Sequence, residues 1–115
     1  MIFVVDDDLA MAECIARATK KETEIFSNAI EAMQCITDGT MPKMIFLDIL
    51  LDGPDGFTFL NELCSYTDTE KIPIVIVSSL DFSNKDLSSY GVVGVLNKDT
   101  MLPKEIEAYA AEYTR

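Results

Sequence analysis

Histidine is missing from all 115 residues. That absence removes histidine-based nucleophilic triads and histidine metal sites, and the chain cannot itself carry a phosphohistidine. Basic residues are scarce: nine Lys and Arg stand against twenty Asp and Glu, a formal charge of −11. Such a surface repels phosphate backbones, so direct nucleic-acid binding is not expected; a cation or a basic patch on a partner would suit it. No apolar run approaches the roughly 18 residues that span a bilayer. The apolar start ends at Val5 and meets acids at once, which is not a signal peptide. A cytoplasmic, soluble chain with no membrane partner is expected. Cys14, Cys35 and Cys64 form no CxxC pair, and each is expected to be a small buried apolar residue on a helix face. Repeats, low-complexity tracts and linkers are also lacking, so residues 1–115 are read as one domain.

What the chain does have is a set of apolar runs that each end in polar groups. Ile2-Phe3-Val4-Val5 meets Asp6-Asp7-Asp8, and Met44-Ile45-Phe46-Leu47 meets Asp48. Ile74-Val75-Ile76-Val77 ends in Ser78-Ser79, and Val92-Val93-Gly94-Val95-Leu96 leads to Asn97-Lys98. Short continuous apolar runs of this kind read as buried parallel strands. Ligands in open α/β sheets bind beyond the carboxyl ends of the strands. Carboxylates, a hydroxyl and an amine are therefore directed to one rim.

Helical patterns alternate with these strands. Leu9 to Lys21 carries Ala12, Ile15, Ala16 and Thr19 at helical spacing, with Asp7 or Asp8 as its cap. Glu24-Ile25-Phe26 is a short further strand, and Ser27-Asn28 cap a helix with Ala29, Met33 and Ile36 on one face, closed by Gly39. Phe57, Leu60, Leu63 and Cys64 mark the inner side of the next helix, after a turn-rich segment from Leu51 to Gly56. Asp81 to Tyr90 reads as a weak, short helix. A last helix starts near Pro103, with Ile106, Tyr109, Ala110 and Tyr113 as its stripe. Alternation of this kind predicts an α/β fold, a doubly wound parallel sheet with helices on both faces.

Asp6, Asp7 and Asp48 would form a dense anionic group. Two carboxylates about 4 Å apart repel by roughly 4 kcal/mol at an effective dielectric near 20. Three stay ionised together only beside a cation, and an all-oxygen donor set favours Mg²⁺ over zinc. Taken singly, each aspartate reads first as a helix cap or a loop-start residue; acids at two separate strand ends favour the cation site. Lys98 is expected to turn its ammonium inward to a carboxylate or a phosphoryl oxygen, with an ordinary surface lysine as the alternative. Ser78 or Ser79 could donate a hydroxyl to the same oxygen. An aspartate placed beside a metal and a lysine can act as a nucleophile toward a phosphoryl group.

Four pieces in order carry a family resemblance: Val4-Val5-Asp6-Asp7-Asp8, Phe46-Leu47-Asp48 with Asp55-Gly56, Val77-Ser78-Ser79, and Gly94-Val95-Leu96-Asn97-Lys98. Over essentially its whole length the sequence resembles the receiver domain of bacterial two-component response regulators. The separations from Asp48 to Gly56 and from Asp48 to Ser78 are those typical of the family. The resemblance implies that Asp48 is the phosphoacceptor, that Asp7 binds Mg²⁺ directly and that Asp6 supports it mainly through water. It implies the carbonyl of Leu50 as a further metal ligand, Ser78 at the Ser/Thr switch position, and Lys98 as the lysine that contacts the phosphoryl group. It also implies five parallel strands in flavodoxin-like order 2-1-3-4-5 with five helices. The phosphoryl donor would be a phosphohistidine on a sensor histidine kinase or a histidine phosphotransfer protein. A downstream protein target and a phosphorylation-driven homodimer are the other partners that the family implies.

Several positions depart from the family pattern. Asp52 and Asp99 stand where the family usually has proline, and Val95 stands where Tyr or Phe is common. Asp99 could compete for the charge of Lys98, and Val95 argues against a tyrosine-type rotamer switch. Leu50 and Leu80 hold positions thought to tune access of hydrolytic water, which predicts a long-lived phosphoaspartate. The leading expectation is a stand-alone receiver with no output segment, catalysing only its own phosphorylation and dephosphorylation. The alternative is a degenerate receiver, a phosphorylation-independent interaction module. An aspartyl phosphohydrolase would need a second acid two residues after its nucleophile; Leu50 fills that place after Asp48, and Asp8 fills it after Asp6.

Overall fold

β-Branched and aromatic side chains suit an extended backbone covered on both faces, and the apolar runs accordingly become strands. A computed structural model of the chain describes residues 1–49, 56–79 and 87–114. It contains β1 (Ile2–Val5), α1 (Leu9–Thr19), β2 (Thr23–Phe26), α2 (Ala29–Thr37), β3 (Met44–Asp48), α3 (Gly56–Cys64), β4 (Ile74–Ser78), β5 (Val92–Asn97) and α4 (Pro103–Tyr113). The strands form one parallel sheet in the order β2-β1-β3-β4-β5.

The two faces of the sheet support separate apolar layers. Phe3, Val5, Ile45, Leu47, Ile74 and Ile76 pack under α2 and α3, against Ala32, Ile36, Leu60 and Leu63. The alternate residues Ile2, Val4, Met44, Phe46, Val75 and Val77 pack under α1 and α4, against Ala12, Ile15, Ile106 and Ala110. Burying each such large side chain stabilises by about 1.5–3 kcal/mol. Helices on both faces thus follow from strands whose odd and even positions are both apolar.

Local chemistry sets the helix ends. Asp8 caps α1 by accepting from the Met11 amide at 3.2 Å. Asn28 caps α2 by accepting from the Glu31 amide at 2.9 Å. Pro103 opens α4, where Glu105 accepts from the Leu102 amide at 2.8 Å. The first helix stops at Thr19, short of the expected Lys21. The Thr19 hydroxyl bonds back to the Ala16 carbonyl at 2.7 Å and accepts from the Lys21 amide at 3.2 Å, while Lys20 turns left-handed at φ 57°.

The cysteine expectation is corrected. All three lie on helices, but Cys14 is exposed and Cys35 and Cys64 are half-buried. Cys14 falls beside the Ala12–Ile15–Thr19 stripe rather than on it, so α1 turns it outward. Burial, with the charge of Glu70 adding to it, raises the Cys64 thiol above its ordinary value. In α3, Leu60 and Leu63 are buried as expected, joined by Phe59; the side chain of Phe57 lies outside the described set. Of the short helix expected over Asp81 to Tyr90, a 3₁₀ turn at Ser88–Tyr90 is present, and residues 81–86 lie outside the described residues. Four α-helices therefore stand among the described residues. None is long and apolar enough to cross a membrane.

Candidate acidic site at the carboxyl edge of the sheet

Strand register assembles the rim. Val5 lies opposite Leu47, so Asp6 and Asp48 leave adjacent strands at the same level. Ser78 lies opposite Asn97, which puts Lys98 one step beyond them. The Lys98 amide donates to the Ser78 carbonyl at 3.0 Å, closing β5 against β4 at this edge.

Carboxylate oxygens of Asp6, Asp7 and Asp48 all lie within 4.8 Å of one another, with Asp6 and Asp48 buried and Asp7 exposed. Lys98 Nζ sits 3.0 Å from Asp6 Oδ2 and 3.1 Å from Asp48 Oδ2, with 17% of its side chain exposed. One ammonium thus bridges acids from β1 and β3. Asp6 Oδ1 accepts from the Asp8 amide at 2.9 Å. Its Oδ2 has the distance of an ion pair to Lys98, yet no aligned hydrogen bond reaches this buried oxygen. Burial pushes the Asp6 carboxyl above its ordinary value, against the lowering effects of the Asp8 amide and Lys98. For Lys98, burial acts downward, but pairing with Asp6 and then Asp48 outweighs it and the ammonium is held above its ordinary value.

Asp6, Asp7, Asp48 and Lys98 are therefore brought together. Ser78 is buried as the last residue of β4, whereas its neighbour Ser79 is exposed. Leu50, Asp52, Asp55 and Leu80 lie outside the described residues. Asp99 is exposed and makes no ion pair with Lys98 among the described residues, so the expected competition is not seen. Asp8, the acid two residues after Asp6, is the exposed cap of α1. A turn stabiliser went unread in the sequence: Asn97 Oδ1 accepts from the Asp99 amide at 2.8 Å, and its carbonyl accepts from Thr100 and Met101. An Asn at a strand end, followed by polar residues, is the signal that could have revealed it.

A divalent cation fits this donor set. Three carboxylates converge within reach of one ion, and a buried Asp6 oxygen lacks an aligned donor. Short all-oxygen side chains match a hard ion such as Mg²⁺.

Known proteins give the same picture. The curated response regulator PleD of Caulobacter vibrioides is 30% identical over 82 residues, 70% of this chain and 18% of PleD. The match thus spans under a fifth of that relative's length. The receiver domain of NtrX from Brucella abortus superposes with a TM-score of 0.83 at 25% identity, covering 98% of this chain and 97% of that one. The receiver domain of a Pseudomonas aeruginosa sensor histidine kinase, described with a magnesium ion coordinated in its active site cleft, superposes at 0.78. It is 17% identical, with 97% of this chain and 94% of that one covered, a likeness of fold. The family model for the response regulator receiver domain matches residues 2–110. With that match over nearly the whole chain, and with the strand order and acidic rim described above, the chain belongs to the response regulator receiver domain family of two-component signalling.

Proposed function

We propose that this receiver domain takes a phosphoryl group onto Asp48 in a Mg²⁺-dependent reaction and signals by changing which protein it binds. The observation that carries the reading is the Lys98 ammonium held 3.0 Å from Asp6 and 3.1 Å from Asp48, beside a third carboxylate. The donor is a phosphohistidine on a sensor histidine kinase or a histidine phosphotransfer protein. An Asp48 carboxylate oxygen forms the new bond to phosphorus as the histidine P–N bond breaks. The electron pair stays on the imidazole nitrogen, which takes up a proton.

In this reading the Lys98 ammonium has two tasks. Before transfer it neutralises paired acids; afterwards it faces the phosphoryl oxygens and offsets their charge. Ser78, buried at the end of β4, donates its hydroxyl to a phosphoryl oxygen. Asp7 and Asp48 would hold Mg²⁺ with Asp6 in support, and the bound ion would supply charge neutralisation at the phosphoryl oxygens; the Leu50 carbonyl, the further ligand that the resemblance implies, lies outside the described residues.

The test is direct. The protein is treated with Mg²⁺ and acetyl phosphate and its intact mass is recorded. One added phosphoryl group is expected, absent in Asp48→Asn and suppressed by EDTA. No added mass on the unaltered chain would favour a phosphorylation-independent interaction module. Mass that persists in Asp48→Asn would move the acceptor elsewhere. From the apolar residue types at positions 50 and 80 in the sequence, the modification is expected to outlast a few seconds in Mg²⁺ buffer.

A further inference from the structure

The helical layer over one sheet face carries a groove that phosphoryl chemistry does not use. One cavity of about 500 Å³ lies between α2 and α3, floored by Ala29 and Phe59 and flanked by Ile30, Met33 and Glu62. A second, of about 380 Å³, adjoins it and shares Met33, Thr37 and Glu62; Met41, Tyr66 and Asp68 line its far end. Neither includes Asp6, Asp7, Asp48 or Lys98.

Large apolar side chains normally avoid water, and three line this groove in the open. Ile30 is 59% exposed, Met41 45% and Tyr66 61%. Their grouping along a concave strip is more informative than their number, because scattered exposed apolar residues are ordinary and a grouped patch marks an interaction surface. The strip follows α2, whose nine residues extend about 13 Å, the length of two to three helical turns.

Charge selects the occupant. Among the described lining residues are two carboxylates, Glu62 and Asp68, and no Lys or Arg. Neither makes an ion pair among the described residues. A second copy of a chain with charge −11 would set like charges face to face here. An anionic lipid surface would be repelled for the same reason. An apolar strip with an acidic border is the complement of a helix with apolar residues at i, i+3, i+4 and i+7 and Lys or Arg at its flanks.

We propose that the α2–α3 groove docks a basic amphipathic helix of a partner protein, seated on Ile30, Met33 and Tyr66 and oriented by Glu62 and Asp68. This surface is separate from the acidic rim, so occupancy of the groove does not require Asp48 to be modified.

The test uses the full chain labelled with ¹⁵N. The probes are a panel of synthetic Leu/Lys helices of about 14 residues, long enough to match the groove, and charge-reversed Leu/Glu counterparts. Amide shifts should change along α2 and α3 with the Leu/Lys panel and not with the Leu/Glu one. Ile30→Ser and Glu62→Lys, both at exposed positions, should each weaken binding by about tenfold or more, as expected for a central apolar anchor and an orienting charge. Both variants should retain the wild-type amide spectrum elsewhere and full phosphorylation by acetyl phosphate. Shifts confined to the rim around Asp6 and Asp7, equal binding by the variants, or no shifts from any peptide would each overturn the proposal. So would groove shifts that grow with protein concentration alone, which would make the occupant a second copy.

Discussion

Lys98→Met isolates what the ammonium does for the rim, because it keeps most of the unbranched side chain and removes the charge. Each contact near 3 Å is worth about 5 kcal/mol of attraction at an effective dielectric of 20, before desolvation is counted. Without the ammonium, Asp6 and Asp48 remain as buried acids with 1% and 6% exposure. The variant has one inexpensive escape, which is to take up a proton on the Asp6 carboxylate. Keeping an aspartate with an ordinary value of 3.8 protonated costs about 1.4 kcal/mol for each pH unit above that value. The loss of stability is therefore capped near 4 kcal/mol at pH 7 and below about 2 kcal/mol at pH 5.

The sign follows from Asp6. Its folded value already lies above its unfolded one, so ionisation works against the fold and the penalty grows as pH rises past 3.8. Removing Lys98 takes away an influence that lowers that value, so the variant should fall further behind wild type between pH 5 and pH 7. Urea unfolding of both proteins in EDTA measures the gap. A gap equal at the two pH values, or wider at pH 5, would refute the reasoning. Mg²⁺ should then stabilise Lys98→Met more than wild type, because the ion replaces the missing positive charge. Equal stabilisation would show that ammonium and metal do not share these acids.

Three further outcomes follow from the same structure. Asp8→Ala should cost about 1 kcal/mol in urea unfolding through loss of the α1 cap, while acetyl phosphate still modifies the protein fully; a loss of modification would give Asp8 a chemical role. A Cβ at Gly94 would overlap the Tyr109 phenol, the outer end of a half-buried side chain that can swing aside, so Gly94→Ala should destabilise by only about 1 kcal/mol, and adding Tyr109→Ala should recover part of that in a double-mutant cycle. Cys14 should react with a thiol reagent well before Cys64, whose raised value makes its labelling climb with pH past the ordinary thiol range; labelling at equal rates would contradict the exposures.

The strands and the rim were legible because each depends on local pattern. Four apolar runs with polar ends leave little choice of strand, and parallel pairing puts their carboxyl ends on one edge. The sequence alone thus groups Asp6, Asp7, Asp48 and Lys98. What could not be read were properties decided by phase and by packing. Cys14 is a buried type of residue placed one position off the apolar stripe of α1, and composition cannot see that angle. Phe59 was missed because Phe57 fits the same helical period. The α2–α3 groove needs two helices at a set separation, and neither sequence alone implies a cavity.

The fifth strand shows why phase matters for chemistry. Its run Val92-Val93-Gly94-Val95-Leu96 is apolar throughout, so no alternation reveals which side chain faces which layer. In the sheet, Ile74 pairs with Val92 but Val75 pairs with Gly94, and Val93 is the extra residue of a bulge. That insertion turns Leu96 into the layer under α1 and α4, and places Gly94 beneath Tyr109. It also sets Asn97 opposite Ser78, so Lys98 emerges one step past the strand ends and its ammonium reaches Asp6 and Asp48. Without the extra residue, every later side chain of the strand would change faces. Leu96 would then leave its layer, and the backbone carrying Lys98 would shift by one residue. The irregular step at Val93 is thus what reconciles a packed edge strand with a lysine aimed at two acids.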